Sequence, residues 1–238
     1  MMKHQLKRLS PPSTQSGFTI IESLLAILIV TALLVGIAPV ITLSVATRLQ
    51  ARRVEQATQA ARTYIDGVRS GKIAPPKHVE ELVEVDANNN FDPKRDQFSD
   101  TRAPRSIAIP NCRSTLGTFP YCRDNANLSL YCADFDGDGA CRNSSTTDLI
   151  VQAFRTGIDA ADNGSKGYLL GIRVYRAAAF NGNTNFQTTK DVGRKVRTNT
   201  GGTGEYRAPL VEMTTEIAGQ SLDPFKSFCD RLGGSGCP

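Results

Sequence analysis

The chain has 238 residues, 40% of them hydrophobic, which suits one anchoring element plus one globular domain and excludes global disorder. Its net charge of +5 is unevenly placed, because Lys3, Lys7 and Arg8 lie in the first 17 residues with no acidic neighbour. The rest of the chain holds 25 basic and 23 acidic side chains, a net of +2, so no electrostatic footprint for nucleic acid is expected.

Residues 1–17 are polar and basic and contain Pro11 and Pro12. A secretory signal peptide carries its apolar region before the cut, whereas here the apolar region begins after Gly17. Between Glu22 and Arg48 lie 25 uncharged residues, Ser23 to Thr47. At the standard helical rise they cover about 37 Å, enough to cross a hydrocarbon core with some tilt. A buried core helix is the competing reading, and the length of the uncharged run argues against it. Arg48, Arg52 and Arg53 flank the far end as Lys3, Lys7 and Arg8 flank the near one, so the positive-inside rule gives almost no orientation.

The helical pattern continues. From Thr47 to Ser70 there is no proline, and Val54, Ala57, Ala61, Ile65 and Val68 recur at spacings of three and four, one face of a helix. Gly71 caps its end and Pro75-Pro76 prevents resumption. A helix over 19–70 would have 52 residues and reach about 78 Å. Its first half is apolar all round, and its second half is amphipathic. The chain therefore divides into a leader, 1–17, a helix, 18–71 (membrane part about 23–47, amphipathic part about 48–71), and a globular domain, 72–238.

Within the domain, Val83 to Arg105 reads as a long loop and 111–147 as an irregular, cysteine-stapled region. Leu149 to Phe154 and Tyr168 to Tyr175 read as an antiparallel hairpin, with the turn signal Asp162-Asn163-Gly164 between them. Residues 181–204 are Asn-, Thr- and Gly-rich, and Leu210 to Ile217 gives a further strand. The cysteines are Cys112, Cys122, Cys132, Cys141, Cys229 and Cys237, all beyond the apolar segment. An even count on one side of a membrane predicts disulfides in an oxidising compartment, which places the C-terminal domain outside the cytoplasm. Zinc is the alternative, but the spacings lack C-x-x-C pairs and His78 is the sole histidine beyond the leader. Six cysteines allow about fifteen connectivities; a local scheme joins Cys132 to Cys141 and Cys229 to Cys237.

Asp134, Asp136 and Asp138 stand at alternate positions with Gly139 sixth in the loop, the spacing by which oxygen ligands gather round calcium. Ser145 replaces the bidentate acid expected at the twelfth position, with Asp148 the nearest substitute; an Asp/Gly surface turn without an ion is the competing reading. The similar spacing in 86–92 has Phe91 at the glycine position and reads as an ordinary loop.

The segment Gly17-Phe18-Thr19-Ile20-Ile21-Glu22-Ser23-Leu24 resembles the type III signal of type IV pilins and pseudopilins. The resemblance implies cleavage after Gly17 by a prepilin peptidase and N-methyltransferase, with Phe18 as the methylated new terminus. It implies that Glu22 acts in assembly. Pro39 falls where many pilins have a proline, in a stretch that loosens in filaments. The chemistry agrees: a carboxylate beside an apolar span needs a partner, and cleavage creates an amine at Phe18 with which a neighbour's Glu22 can pair. The alternative for Glu22 is a carboxylate at the headgroups, and for Pro39 a tolerated kink. Residues 45–53 and 60–71 are similar to the hormogonium polysaccharide secretion pseudopilins of filamentous cyanobacteria. The implied partners are other pilin or pseudopilin subunits, the assembly machinery and, before assembly, the inner membrane.

No G-x-S-x-G, H-E-x-x-H or P-loop pattern occurs, and Gly201-Gly202-Thr203-Gly204 lacks the strand-then-helix setting of a phosphate cradle, so no catalysis is expected. The expected fold is α+β and pilin-like: a long N-terminal helix on a small antiparallel sheet with disulfide-stapled loops. The expected function is a structural, minor subunit of a pilus-like or pseudopilus filament serving polysaccharide secretion and surface motility. A pilus-tip module gripping glycan, DNA or a surface is the alternative, and a membrane-anchored extracytoplasmic enzyme is a third.

Overall fold

The computed structural model describes residues 17, 19–80, 84, 88, 90–92, 98, 100–104, 112, 121–122, 129–157, 164–180, 185–188, 206–219 and 223–231. Most of the expected loops over 83–105 and 181–204, the turn residues Asp162 and Asn163, and residues 86, 87 and 89 of the 86–92 segment lie outside these residues. The chain divides into two compact units, Met1–Arg48 and Leu49–Pro238.

Helix α1 (Ile20–Arg69) runs for 50 residues, one short at each end of the expected span. Thr19 is its cap: its Oγ1 accepts the Glu22 N–H at 3.3 Å, and its carbonyl accepts the Ser23 N–H at 3.1 Å. The first unit holds the apolar part, and every residue from Ile20 to Leu49 is exposed. Polar side chains in this stretch return their hydroxyls to the helix. Thr31 Oγ1 donates to the Ile27 carbonyl at 2.8 Å, and Thr42 Oγ1 to that of Pro39 at 2.9 Å. That arrangement satisfies the hydroxyl donors within the helix itself. Pro39 lies inside the helix.

In the second unit the helix buries Ala57, Ala60, Ala61, Tyr64, Ile65 and Val68. The buried stripe is broader than the periodicity indicates, because Ala60 and Tyr64 join it while Val54 is only half-buried. The helix stops at Gly71, whose φ of 70° suits a residue without Cβ; its N–H returns to the Val68 carbonyl at 3.0 Å. Ile73 N–H returns to the Gly67 carbonyl at 3.0 Å, and the Ile73 side chain fills the space where a Cβ on Gly67 would lie.

The sheet contains β1 (Val79–Glu80), β2 (Leu130–Ala133), β3 (Leu149–Thr156), β4 (Gly167–Arg176) and β5 (Val211–Ala218). A 3-10 turn, Ala177–Phe180, follows β4, and α2 (Pro224–Arg231) follows β5. The hairpin β3–β4 is antiparallel, with Val151 opposite Val174 and Ala153 opposite Ile172. β5 pairs antiparallel with β4, and β2 antiparallel with β3. The sheet is nevertheless mixed and not purely antiparallel: β1 runs parallel to β3, with Val79 opposite Arg155. β2 is a strand inside the region read as irregular. β1 and β2 follow one another along the same edge of β3.

The sheet is covered on both faces. On one face Val151, Ala153, Leu170, Ile172, Val174 and Ile217 pack with the α1 stripe. On the other, Ile150 and Tyr175 pack with Cys112, Cys132, Cys141, Phe180 and Phe186, and Phe154 and Leu169 with Phe98. β3 is consequently buried along its whole length, polar residues included. Gln152 reaches the Arg102 carbonyl at 2.7 Å, and Arg155 Nε the Pro76 carbonyl at 2.9 Å.

The junction of β1 and β2 rests on Ser129, which has a φ of 50° and is buried. Its Oγ accepts N–H groups from Lys77 at 2.8 Å and His78 at 3.1 Å, and its carbonyl accepts the Ala153 N–H at 3.3 Å. Ser129→Ala removes an acceptor shared by two N–H groups and should cost about 1–3 kcal/mol, read from chemical denaturation. Ser129→Gly relieves the positive φ and should cost less than the alanine variant if backbone strain is significant there.

Candidate functional site

The sequence points to two places, the entrance of α1 and the acidic loop. At the entrance Gly17 is exposed and stands two residues before the cap Thr19, while Phe18 and the leader residues 1–16 lie outside the described residues. Glu22 is exposed in the first turn, at the third helical position after Thr19. Thr19-Ile20-Ile21-Glu22 therefore has the spacing of a capping box, a signal readable in the sequence and missed there. The threonine half of the box is formed. A carboxylate near a helix N-terminus is also favoured by the helix dipole. Glu22 and Pro39 are separated by almost five turns of α1, so they form no common site. The helix is long and apolar enough to cross a membrane.

In the acidic loop one oxygen each of Asp134, Asp136 and Asp138 lies within 4.8 Å of the others. Asp134 braces the turn, with Oδ1 accepting the Gly137 N–H at 2.6 Å and Oδ2 the Gly139 N–H at 2.8 Å. Gly137 and Gly139 have φ of 77° and 86°, which the tight curve requires. Asp138 Oδ1 accepts the Ala140 N–H at 2.9 Å, and its Oδ2 meets Arg142 Nε at 2.8 Å. That ion pair is exposed and contributes little by itself.

Desolvation pushes the Asp134 carboxyl upward, but the N–H groups of Gly139, Gly137 and Asp138 and the Asp136 contact together outweigh it and hold the group below the ordinary carboxylate range. Its folded value is thus the lower one. The stability it lends is present above the unfolded value and is lost as pH falls through the folded one.

A hard cation wants about six to eight oxygens. The three aspartates supply a fitting start, but the expected substitute acid does not join them. Asp148 is buried, and its oxygens accept the Phe135 N–H at 3.2 Å and the Arg142 N–H at 3.3 Å. Ser145 Oγ instead donates to Asp136 at 2.9 Å. Cys132 and Cys141 are joined, as the local scheme has it, and close the loop at its base. Cys112 is joined to Cys122. Cys229 is also disulfide-bonded, and Cys237 lies outside the described residues.

A third cluster, four tyrosines and a buried arginine, was not anticipated. Tyr64 Oη and Tyr121 Oη are 2.7 Å apart, and Tyr121 also donates to the Ala74 carbonyl. Burial, reinforced by Tyr121, pushes the Tyr64 phenol well above its ordinary value; burial likewise takes Tyr168 up to about 12, against the opposing pull of Arg155. These phenols stay neutral at physiological pH; Tyr64 hydrogen-bonds to Tyr121, whereas the Tyr168 hydroxyl is buried with no hydrogen-bond partner among the described residues. His78 pairs with Glu80 at 2.9 Å on β1. No family model, curated protein or solved structure matches this chain.

Proposed function

We propose that this chain is a type IV pilin-like subunit. It is made with a basic leader, cleaved between Gly17 and Phe18 by a prepilin peptidase and N-methyltransferase, and held in the inner membrane by α1 with its C-terminal domain outside the cytoplasm. From there it enters a pilus-like or pseudopilus filament as a minor structural subunit, working with other pilin or pseudopilin subunits and the assembly machinery in polysaccharide secretion and surface motility. The observation that carries this reading is the division of α1. One helix is uncovered from Ile20 to Leu49 and uncharged from Ser23 to Thr47, then amphipathic and built into a disulfide-linked domain, with the Gly17–Glu22 motif at its start. The uncovered half suits lipid before assembly and like helices after it.

Replacing Gly17 by a bulky residue should leave the full-length precursor in the membrane. The mature wild-type chain should begin at Phe18 and carry one added methyl group by intact-mass measurement. Shearing surface filaments should release the processed chain in small amount. A mature terminus beyond residue 47 would overturn the reading, because the anchor would be gone; a processed chain never found in filaments would favour the enzyme alternative.

Calcium held by Asp134, Asp136 and Asp138 belongs to the same proposal as a structural ion for the stapled loop. Calcium should raise the thermal midpoint of the protein relative to chelator, with affinity in the about 0.1–1 mM range of extracellular modules. Asp136→Asn should abolish the increase; an equal midpoint with and without calcium would leave the loop as a self-braced turn.

A further inference from the structure

The sheet end at which α1 enters the domain is basic and aromatic. Arg48, Arg52 and Arg53 follow the apolar stretch within six residues, and all are exposed. No acidic residue stands on the helix between Glu22 and Glu55. Gln50 Oε1 accepts from Arg176 Nη2 at 3.3 Å, which ties this turn of α1 to the last residue of β4. The Arg176 guanidinium lies 5.5 Å from the centre of the Tyr206 ring. Tyr206 is 39% exposed, and Arg207 beside it is exposed. Arginines and a half-exposed tyrosine at the margin of an apolar segment have the chemistry of a membrane interface. Guanidinium groups match phosphate geometry, and a phenol suits the headgroup level.

Placing three arginines just past the non-cytoplasmic end of a span runs against the usual charge bias, so a binding role is the economical account. We infer that Arg52, Arg53 and Arg207, with Tyr206, form a collar that engages anionic phospholipid headgroups before assembly. This inference rests on the membrane-anchored reading above. Asp134, Asp136 and Asp138 follow β2 at the same end of the sheet and oppose an anionic surface; their N–H contacts and Arg142 offset part of that opposition.

The chain contains no tryptophan, so Tyr206→Trp supplies a single reporter. The processed full-length protein would be placed in vesicles of phosphatidylcholine, alone or mixed with phosphatidylglycerol, each carrying a headgroup-linked quencher. The introduced indole should be quenched more strongly in the anionic vesicles. The excess should vanish at about 1 M salt, where the Debye length falls to about 3 Å. Each arginine lost should disfavour the headgroup-bound state about fivefold, so Arg52→Gln/Arg53→Gln/Arg207→Gln should remove the excess while circular dichroism stays unchanged. Equal quenching in both lipids, or an unaffected triple variant, would overturn the inference. A triple variant with unaltered quenching that fails to enter filaments would overturn it in favour of a neighbouring subunit as the arginines' partner. Failure of the chain to co-float with vesicles would overturn both the collar and the anchor, whereas co-flotation without lipid dependence removes the collar alone.

Discussion

Arg173→Met should destabilise the domain by about 3–5 kcal/mol, enough to leave much of it unfolded at physiological temperature. Arg173 is fully buried in β4. Its Nη1 donates to the Thr101 carbonyl at 2.7 Å and its Nη2 to the Phe98 carbonyl at 2.6 Å. Its Nε meets Glu212 Oε1 of the neighbouring strand at 3.1 Å, and its guanidinium lies 5.1 Å from the centre of the Phe154 ring. One side chain therefore fastens a loop and a strand to the hairpin. Methionine fills a similar volume but leaves the two loop carbonyls without this donor and removes one partner of the Glu212 carboxylate. Glu212 is 22% exposed on its side chain, so part of its loss is recovered through water.

The control separates charge from hydrogen bonding. Glu212→Gln keeps an acceptor for Nε and leaves both carbonyl contacts in place, so it should cost under about 2 kcal/mol. Adding Glu212→Leu to Arg173→Met removes the carboxylate that lost its arginine but leaves the loop carbonyls without that donor, so recovery should be partial. Equilibrium denaturation of the four proteins checks this. Full recovery in the double variant would show that the ion pair, and not the loop carbonyls, carries the effect.

The same arginine shows where sequence reading runs out. In the run Tyr168 to Tyr175 the positions of Leu170, Ile172 and Val174 alternate with Leu169, Gly171 and Arg173, which reads as one strand of an antiparallel hairpin. The strand and its antiparallel pairing were legible because β-branched and aromatic residues cluster between turn signals. The second cover was not, because the loop around Phe98 and Thr101 carries no apolar period of its own. It is held by backbone carbonyls, which every residue has. Gly171 records that cover: a Cβ there would meet the Phe154 and Phe98 rings. A glycine in a strand is a sign of close approach, but it does not say by what. β2 escaped notice because Leu130-Tyr131-Cys132-Ala133 is short and flanked by cysteines, and β1 because two residues have no period. The cap at Thr19 was open to view in its spacing from Glu22.

The cap sharpens the expectation for Glu22. Glu22→Ala should yield a chain that is made, inserted, cleaved and anchored, yet is depleted at least about tenfold from filaments. The cap does not depend on the carboxylate: Thr19 Oγ1 accepts the backbone N–H of residue 22, which alanine retains. Alanine is also the better helix former, so α1 should start where it does now. Removing a charge from the margin of an apolar span makes insertion no harder. What disappears is the proposed partner for the Phe18 amine of a neighbouring subunit. Stranding one side of such a pair in an apolar bundle costs about 3–5 kcal/mol, which is ample for the expected depletion.

Thr19→Ala provides the opposite control. It removes the cap, at about 1 kcal/mol, and keeps the carboxylate. It should fray the first turn and lower incorporation far less. If the two variants assemble equally poorly, helix start geometry is the cause and Glu22 is only half of a capping box. If Glu22→Ala assembles like wild type, the carboxylate sits at the headgroups and sets no register. Cleavage and methylation must be read in both variants by intact mass, since an unprocessed chain would never expose the amine and would mimic an assembly defect.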